Sequence, residues 1–277
     1  NWPDALGGAA LAGAYDAPIL LTLTSTLPAA VSAEIDRLGA EDAIILGGPG
    51  AVAPAVETAL AGKLGATSVR RLGGATRYET AELIARAVKS EVGANYDGTA
   101  FVATGLNFPD ALAGSPLSAA GAWPIFLAPA SGMTPSTLAT MSDIGVTDVL
   151  ILGGTGVVSQ TIEDGLSAGV SGDVTRLAGP TRYETAVEVA SFGVDEAHLR
   201  WNGVALATGE NFPDALAGGP VQGRARSVML LTHTSFLTPV TGATLQDEAR
   251  DIATVRFLGG PGAIAPVVRN DVKAILE

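Results

Sequence analysis

The sequence predicts an α/β fold built three times over, on three observations: a hexapeptide that recurs at a near-constant interval, apolar runs on consecutive residues, and helical periodicity between those runs. Asn1-Trp2-Pro3-Asp4-Ala5-Leu6 returns 106 residues later as Asn107-Phe108-Pro109-Asp110-Ala111-Leu112. It returns again, 104 residues further on, as Asn211-Phe212-Pro213-Asp214-Ala215-Leu216. Runs such as Thr99-Ala100-Phe101-Val102-Ala103 do not alternate apolar with polar. Strands covered by helices on both faces read this way, so the sheets are expected to be parallel. Leu83, Ile84, Ala87 and Val88 lie on one face of a helix between two such runs.

The other landmarks keep the same interval. After each hexapeptide comes an apolar run: Pro18 to Leu21, Pro124 to Leu127, Val228 to Leu231. A second run ends each time in Gly-Gly, from Ile44 to Gly48, Leu150 to Gly154 and Arg256 to Gly260. A third segment occurs twice, 105 residues apart: Arg71-Leu72-Gly73-Gly74-Ala75-Thr76-Arg77-Tyr78-Glu79-Thr80-Ala81 and Arg176-Leu177-Ala178-Gly179-Pro180-Thr181-Arg182-Tyr183-Glu184-Thr185-Ala186. A unit of this length holds about four strand–helix pairs. The repeats divide the chain at 1–68, 69–173 and 174–277, and the first begins mid-unit. From Arg71 to Asn107 is 36 residues, so a stretch of that size is expected upstream of Asn1 in a longer protein.

Composition narrows the partners. Hydrophobic residues make up 47% of 277, enough for a sizeable core, while aromatics make up only 5% and glycine numbers 35. Small side chains in that proportion suit close helix-on-sheet packing. The net charge is −12, which disfavours nucleic acid and anionic membrane surfaces as non-specific partners but leaves room for a local basic cleft. No cysteine is present, so disulfides and thiolate metal sites are excluded. The uncharged stretch from Ala111 to Ser142 is broken by Pro116, Pro124, Pro129 and Pro135, which argues against a membrane span.

Each candidate residue has a structural reading beside a functional one. Asp4, Asp110 and Asp214 follow a proline at a predicted helix start, where a carboxylate opposes the helix dipole. The same turns, with Asn107 and Asn211, lie at strand C-termini, where α/β folds bind ligands. Thr76 with Glu79, and Thr181 with Glu184, match a capping box. Arg77 and Arg182, one residue past the cap, are opposed by the dipole, so each either pairs with a carboxylate or awaits an anionic ligand. Tyr78 and Tyr183 can stack on a sugar ring or fill core space, with core favoured.

Gly48-Pro49-Gly50-Ala51-Val52-Ala53 imitates a dinucleotide fingerprint, yet the segment that follows runs to Val69-Arg70-Arg71 with no acid where a ribose would need one. These are read as turn glycines, and no cofactor is expected. His198 and His233 are the sole histidines and neither has a counterpart in another repeat, His233 aligning with Pro129. No nucleophile motif or metal-ligand set appears.

Taken together, the Arg-Leu-x-Gly-x-Thr-Arg-Tyr-Glu-Thr-Ala segments, the Asn-x-Pro-Asp-Ala-Leu segments, the Pro-Ile-Leu-Leu and Pro-Ile-Phe-Leu runs and the Leu-Gly-Gly turns closely resemble the type 2 cell wall binding repeats of Gram-positive surface proteins. The resemblance covers essentially the whole chain. It implies three small parallel-sheet units of Rossmann or Toprim-like type packed about a pseudo-threefold axis. It implies secretion and non-covalent attachment to the wall, through an anionic secondary wall polymer such as a teichoic acid, with any catalysis in separate domains. Under it, Arg77 and Arg182, joined by Arg71 and Arg176, become candidate contacts to that polymer. The alternative is a wall hydrolase or glycan-modifying enzyme with carboxylates in a cleft between repeats, which would use residues peculiar to one unit.

Overall fold

The computed structural model describes residues 2–277, with side chains from 4 to 277; Asn1 of the first hexapeptide lies outside the described residues. Grouped by sheet, the first unit holds α1 (Trp2–Ala5), α2 (Gly8–Ala14), α3 (Ala29–Leu38), β1 (Ala43–Leu46), α4 (Pro54–Leu64) and β2 (Val69–Leu72). The second follows with α5 (Arg77–Val92), β3 (Thr99–Thr104), α6 (Pro109–Ala113), α7 (Ser115–Gly121), β4 (Ile125–Ala128), α8 (Pro135–Ile144), β5 (Asp148–Leu152), α9 (Gln160–Gly169) and β6 (Val174–Leu177). The third consists of α10 (Arg182–Glu196), β7 (Arg200–Thr208), α11 (Pro213–Arg224), β8 (Ser227–Thr232), α12 (Pro239–Asp247), β9 (Thr254–Phe257) and α13 (Pro266–Leu276).

Every strand pairing is parallel, in the orders β1-β2, β4-β3-β5-β6 and β8-β7-β9. Unbroken apolar runs make this possible. In the central strands Phe101, Val102, Val149 and Ile151 are wholly buried, because helices cover both faces.

Sheets and sequence repeats are offset by one strand. β2 and β6 open the repeats that begin at 69 and 174, yet they pair with β1 and β5 of the unit before. The helices that follow them, α5 and α10, pack on β4 and β8 of the unit after. Each repeat thus lends its first strand backwards, and the units are tied by more than their loops.

The apolar run Pro18 to Leu21 does not form a strand. Its counterparts β4 and β8 pair only with β3 and β7, the strands that precede the Asn-x-Pro-Asp turns. Among the described residues the first sheet holds β1 and β2 alone, and neither pairs with this run. Leu20 and Leu23 are left exposed, whereas Ile125, Phe126 and Leu127 are buried.

The units meet through helices of small residues. Contacts of α2 with α7, α7 with α11 and α11 with α2 close a triangle about the pseudo-threefold axis. A Cβ at Gly13 would fall 2.0 Å from the Ala119 carbonyl oxygen, one at Gly219 2.2 Å from Ser115 Oγ, and one at Gly223 2.6 Å from the Pro116 carbonyl oxygen. Near the axis the rings of Phe108 and Phe212 meet edge to face, with centroids 6.0 Å apart.

One substitution should therefore change sign with position. Gly165→Ala in α9, where a Cβ meets nothing within 4 Å, should raise stability by about 0.5–1 kcal/mol. Gly223→Ala in α11, blocked by backbone, should lower it by about 1–3 kcal/mol. Urea denaturation of both variants checks the pair.

Candidate functional site

The Asn-x-Pro-Asp turns lie at the C-terminal ends of the sheets. Pro109 and Pro213 open α6 and α11, and Asp110 and Asp214 sit in the first turn, as their dipole preference dictates. Each aspartate also lies against the first glycine of a Gly-Gly turn. A Cβ at Gly153 would be 2.6 Å from Asp110 Oδ2, one at Gly259 2.4 Å from Asp214 Oδ2, and one at Gly47 3.0 Å from Asp4 Cβ. Those three glycines have φ of +98°, +101° and +111°. Backbone conformation and the aspartate both require glycine at these three positions, each the residue just before a segment that imitates a nucleotide motif.

Arg71 and Arg176, expected as candidate ligand contacts, are engaged in holding these turns. Arg176 donates to the Gly153 carbonyl at 2.7 Å and, through Nε and Nη2, to Glu163 of α9. Arg71 does the same with the Gly47 carbonyl and Glu57 of α4. Both guanidiniums are largely buried. Among the described residues the third sheet holds β8, β7 and β9, and none of them supplies such an arginine. Instead Arg269, which occupies on α13 the place of Glu57 and Glu163, donates to the Gly259 carbonyl at 2.8 Å and the Ile264 carbonyl at 3.0 Å. The acceptor is kept and the donor comes from the other side.

Arg77 and Arg182 stand at the seams between units. Their helices pack on α1 and α6 of the preceding unit, and each arginine donates through Nη1 to the loop after β3 or β7 of its own unit, at the carbonyls of Gly105 and Gly209. Arg182 also acts electrostatically on Asp110 of the preceding unit. Burial pushes the Asp110 carboxyl above its ordinary range, while Arg182 and a hydrogen bond with Thr185 pull it down. Tyr78 and Tyr183 pack over Gly105 and Gly209 as half-buried fillers at the edge of the main core.

Thr181 and Glu184 form the expected capping box. At α5 the geometry shifts by one residue: Thr76 accepts from the Glu79 amide, but Glu79 reaches back to the Ala75 amide at 2.8 Å. Pro180 fills the place of Ala75 in the second copy and has no N–H to offer, so Glu184 takes the Thr181 amide instead.

Asn107 and Asn211 are exposed, and their Oδ1 atoms accept the amides of Phe108 and Phe212 at 2.9 Å. That bond fixes the outward group as the Nδ2 donor. Asn211 and Asp214 line a crevice of about 610 Å³ at the ends of β7 and β8. Glu210, His233 and Thr234, which the repeat pattern did not nominate, line it too. Their signal was present as departures from the repeat: the second unit has Leu106, Pro129 and Ala130 at these places. Among the described residues no cluster of three or more His, Asp or Glu could hold a metal, and no helix is long and apolar enough to cross a membrane.

Three stretches of the chain, 1–57, 71–163 and 176–269, match the cell wall binding domain 2 (CWB2) family. The chain belongs to that family. It is a cell-wall-binding module, and its three matched stretches correspond to its three repeats. Among solved structures, the CWB2 chain resembles Cwp8 from Clostridium difficile, with TM-score 0.84, 26% identity and coverage of 99% of this chain and 45% of that one. Cwp6 from the same organism gives TM-score 0.86 and 25% identity, covering 99% and 42%. Of curated relatives, the N-acetylmuramoyl-L-alanine amidase LytC of Bacillus subtilis (strain 168) is 28% identical over 273 residues, 99% of this chain and 51% of that protein. The amidase enhancer of the same strain is 28% identical over 269 residues, 97% and 35%. The module thus spans about half of the first relative and about a third of the second.

Two predictions follow from the clamps and the buried acid. Arg176→Gln should cost about 2–4 kcal/mol, by leaving Glu163 unpaired and weakening the bond to the Gly153 carbonyl. Adding Glu163→Arg, the arrangement of the third unit, should restore part of the melting temperature. For Asp110, a folded-state pKa above the ordinary 3.8 means the folded protein holds more protons, so stability falls as pH rises through the window just above 3.8. Asp110→Asn should flatten that part of a calorimetric pH series.

Proposed function

We propose that this CWB2 module is a non-catalytic anchor of a secreted protein, holding an anionic secondary wall polymer at the seams between its units. One observation carries the reading: Arg77 and Arg182 repeat the same placement, at the N-terminus of α5 and of α10, each joined to the loop that bears Asn107 or Asn211. A helix N-terminus and a guanidinium give a local positive field on a chain of net charge −12. The exposed amide donors of Asn107 and Asn211, two residues beyond the bonded glycines, add neutral contacts to the same edge. Weak sites repeated along one polymer combine through effective concentration, so no seam has to bind tightly alone. Catalysis, in a longer protein that has it, belongs to other domains.

Co-sedimentation with purified Gram-positive walls tests this, before and after hydrofluoric acid strips phosphate-linked polymers. Binding should be lost on stripping and fall steeply with salt. The Arg77→Gln, Arg182→Gln double variant should bind about tenfold or more weakly, the loss expected of charge-assisted hydrogen bonds at two linked sites, while remaining folded at the assay temperature as judged by circular dichroism. Undiminished binding to stripped walls would overturn the anionic-polymer reading.

A further inference from the structure

The crevice of the third unit has a chemistry unlike that of the seams. Its polar lining is dominated by acceptors: the carboxylates of Glu210 and Asp214, with the Thr208 and Thr234 hydroxyls beside them. No lysine or arginine lines it. The Glu210 carboxyl is held below its ordinary range, first by the hydroxyl and amide of Thr234, then by His233 and Arg182, so it is an ionised acceptor at neutral pH.

His233 is held by the same loop. Its Nδ1 accepts the Ser235 amide at 3.1 Å, and its Nε2 faces Glu210 Oε1 at 3.0 Å. The imidazole stacks on Phe236, with centroids 4.2 Å apart and planes 18° apart, and Phe236 is half exposed. A flat apolar surface therefore stands beside the acceptor-rich crevice.

The rim is also ordered in advance. Thr234 donates its amide to Glu210 Oε2 at 3.0 Å, and its hydroxyl bonds that of Thr208 at 3.0 Å. Asn211, with Oδ1 occupied by the Phe212 amide, keeps Nδ2 as a donor. Groups fixed before binding lose little freedom when a ligand arrives.

We propose that this crevice is a subsite for an uncharged saccharide unit, bound through its hydroxyl and acetamido groups and not through phosphate. Carboxylates that only accept call for a ligand rich in O–H and N–H donors, and they repel an anion. Asn211 supplies the complementary donor to a carbonyl or ring oxygen, while the His233–Phe236 stack offers a surface to the C–H face of a sugar ring. The proposal deepens the wall-binding reading and rests on it: the seams take the charged part of a wall glycan and the third unit takes a neutral sugar. It also accounts for the departure from repetition, since the second unit has Leu106, Pro129 and Ala130 where these groups stand.

The test is calorimetric and NMR titration of the full chain with tri-N-acetylchitotriose and, separately, with poly(glycerol phosphate). Chitotriose should bind saturably without being cleaved. Glu210→Gln and Asn211→Ala should each weaken it by about tenfold, the loss of one well-placed polar contact, with melting temperatures held near that of the parent. Arg77→Gln should leave chitotriose binding within about twofold, being remote from the crevice. Poly(glycerol phosphate) binding should be unchanged or strengthened by Glu210→Gln. Absence of saturable chitotriose binding, or binding indifferent to both crevice variants, would overturn the proposal. So would poly(glycerol phosphate) binding abolished by Glu210→Gln. Loss of wall co-sedimentation with chitotriose binding intact would instead count against the wall-binding reading while sustaining the crevice, so the two failures can be told apart.

Discussion

At the centre of the molecule, a Cβ on Gly13 would collide with the backbone at Ala119, and a Cβ on Gly223 would collide with Pro116 and Ala120. The glycine- and alanine-rich helices α2, α7 and α11 meet without side chains to spare, and their closeness constrains what surrounds them. Each carries an Asn-x-Pro-Asp turn or its continuation, so fixing the helices fixes the turns. Each turn places an aspartate against a positive-φ glycine at the end of a neighbouring strand. Interiors pack too densely to absorb an extra methyl group at such a junction without movement elsewhere.

Most of this was legible in sequence, for identifiable reasons. β3, β5 and β7 are buried on both faces, so their apolar runs are unbroken and the parallel α/β reading follows from them directly. The offset between sheets and repeats was not legible, because sequence repetition has the same period whichever unit a strand pairs with. Pro18 to Leu21 misled for a related reason: its composition is that of a strand, but a strand is defined by a partner. Arg71 and Arg176 looked available because their acceptors, a backbone carbonyl and a glutamate thirteen or fourteen residues earlier, leave no local signature.

Those two clamps separate arginines that hold the fold from arginines at its surface junctions. Arg176 spans a strand, a turn and a helix within one unit, and most of its donors are used. The third unit shows what the site requires, since it meets the carbonyl of Gly259 with an arginine from the helix position that elsewhere carries the glutamate. The constant is the buried acceptor, and the residue that serves it changes. Arg77 and Arg182 differ in opening helices that pack on the preceding unit, and Arg182 acts on Asp110 of that unit.

Repetition and departure from repetition carry different information in such a molecule. A seam that occurs twice presents equivalent groups at a fixed spacing, which suits a ligand that itself repeats, and linked weak contacts supply retention without a deep pocket. A crevice furnished in one unit cannot gain from that arithmetic and has to discriminate by the fit of individual groups. Glu210, His233 and Thr234 brace one another through hydrogen bonds that need no ligand, so the cost of ordering them is met on folding. The second unit keeps the same plan with Leu106, Pro129 and Ala130 at these places, so the fold does not demand a polar lining there, and on the proposal above a ligand's own donors and acceptors do.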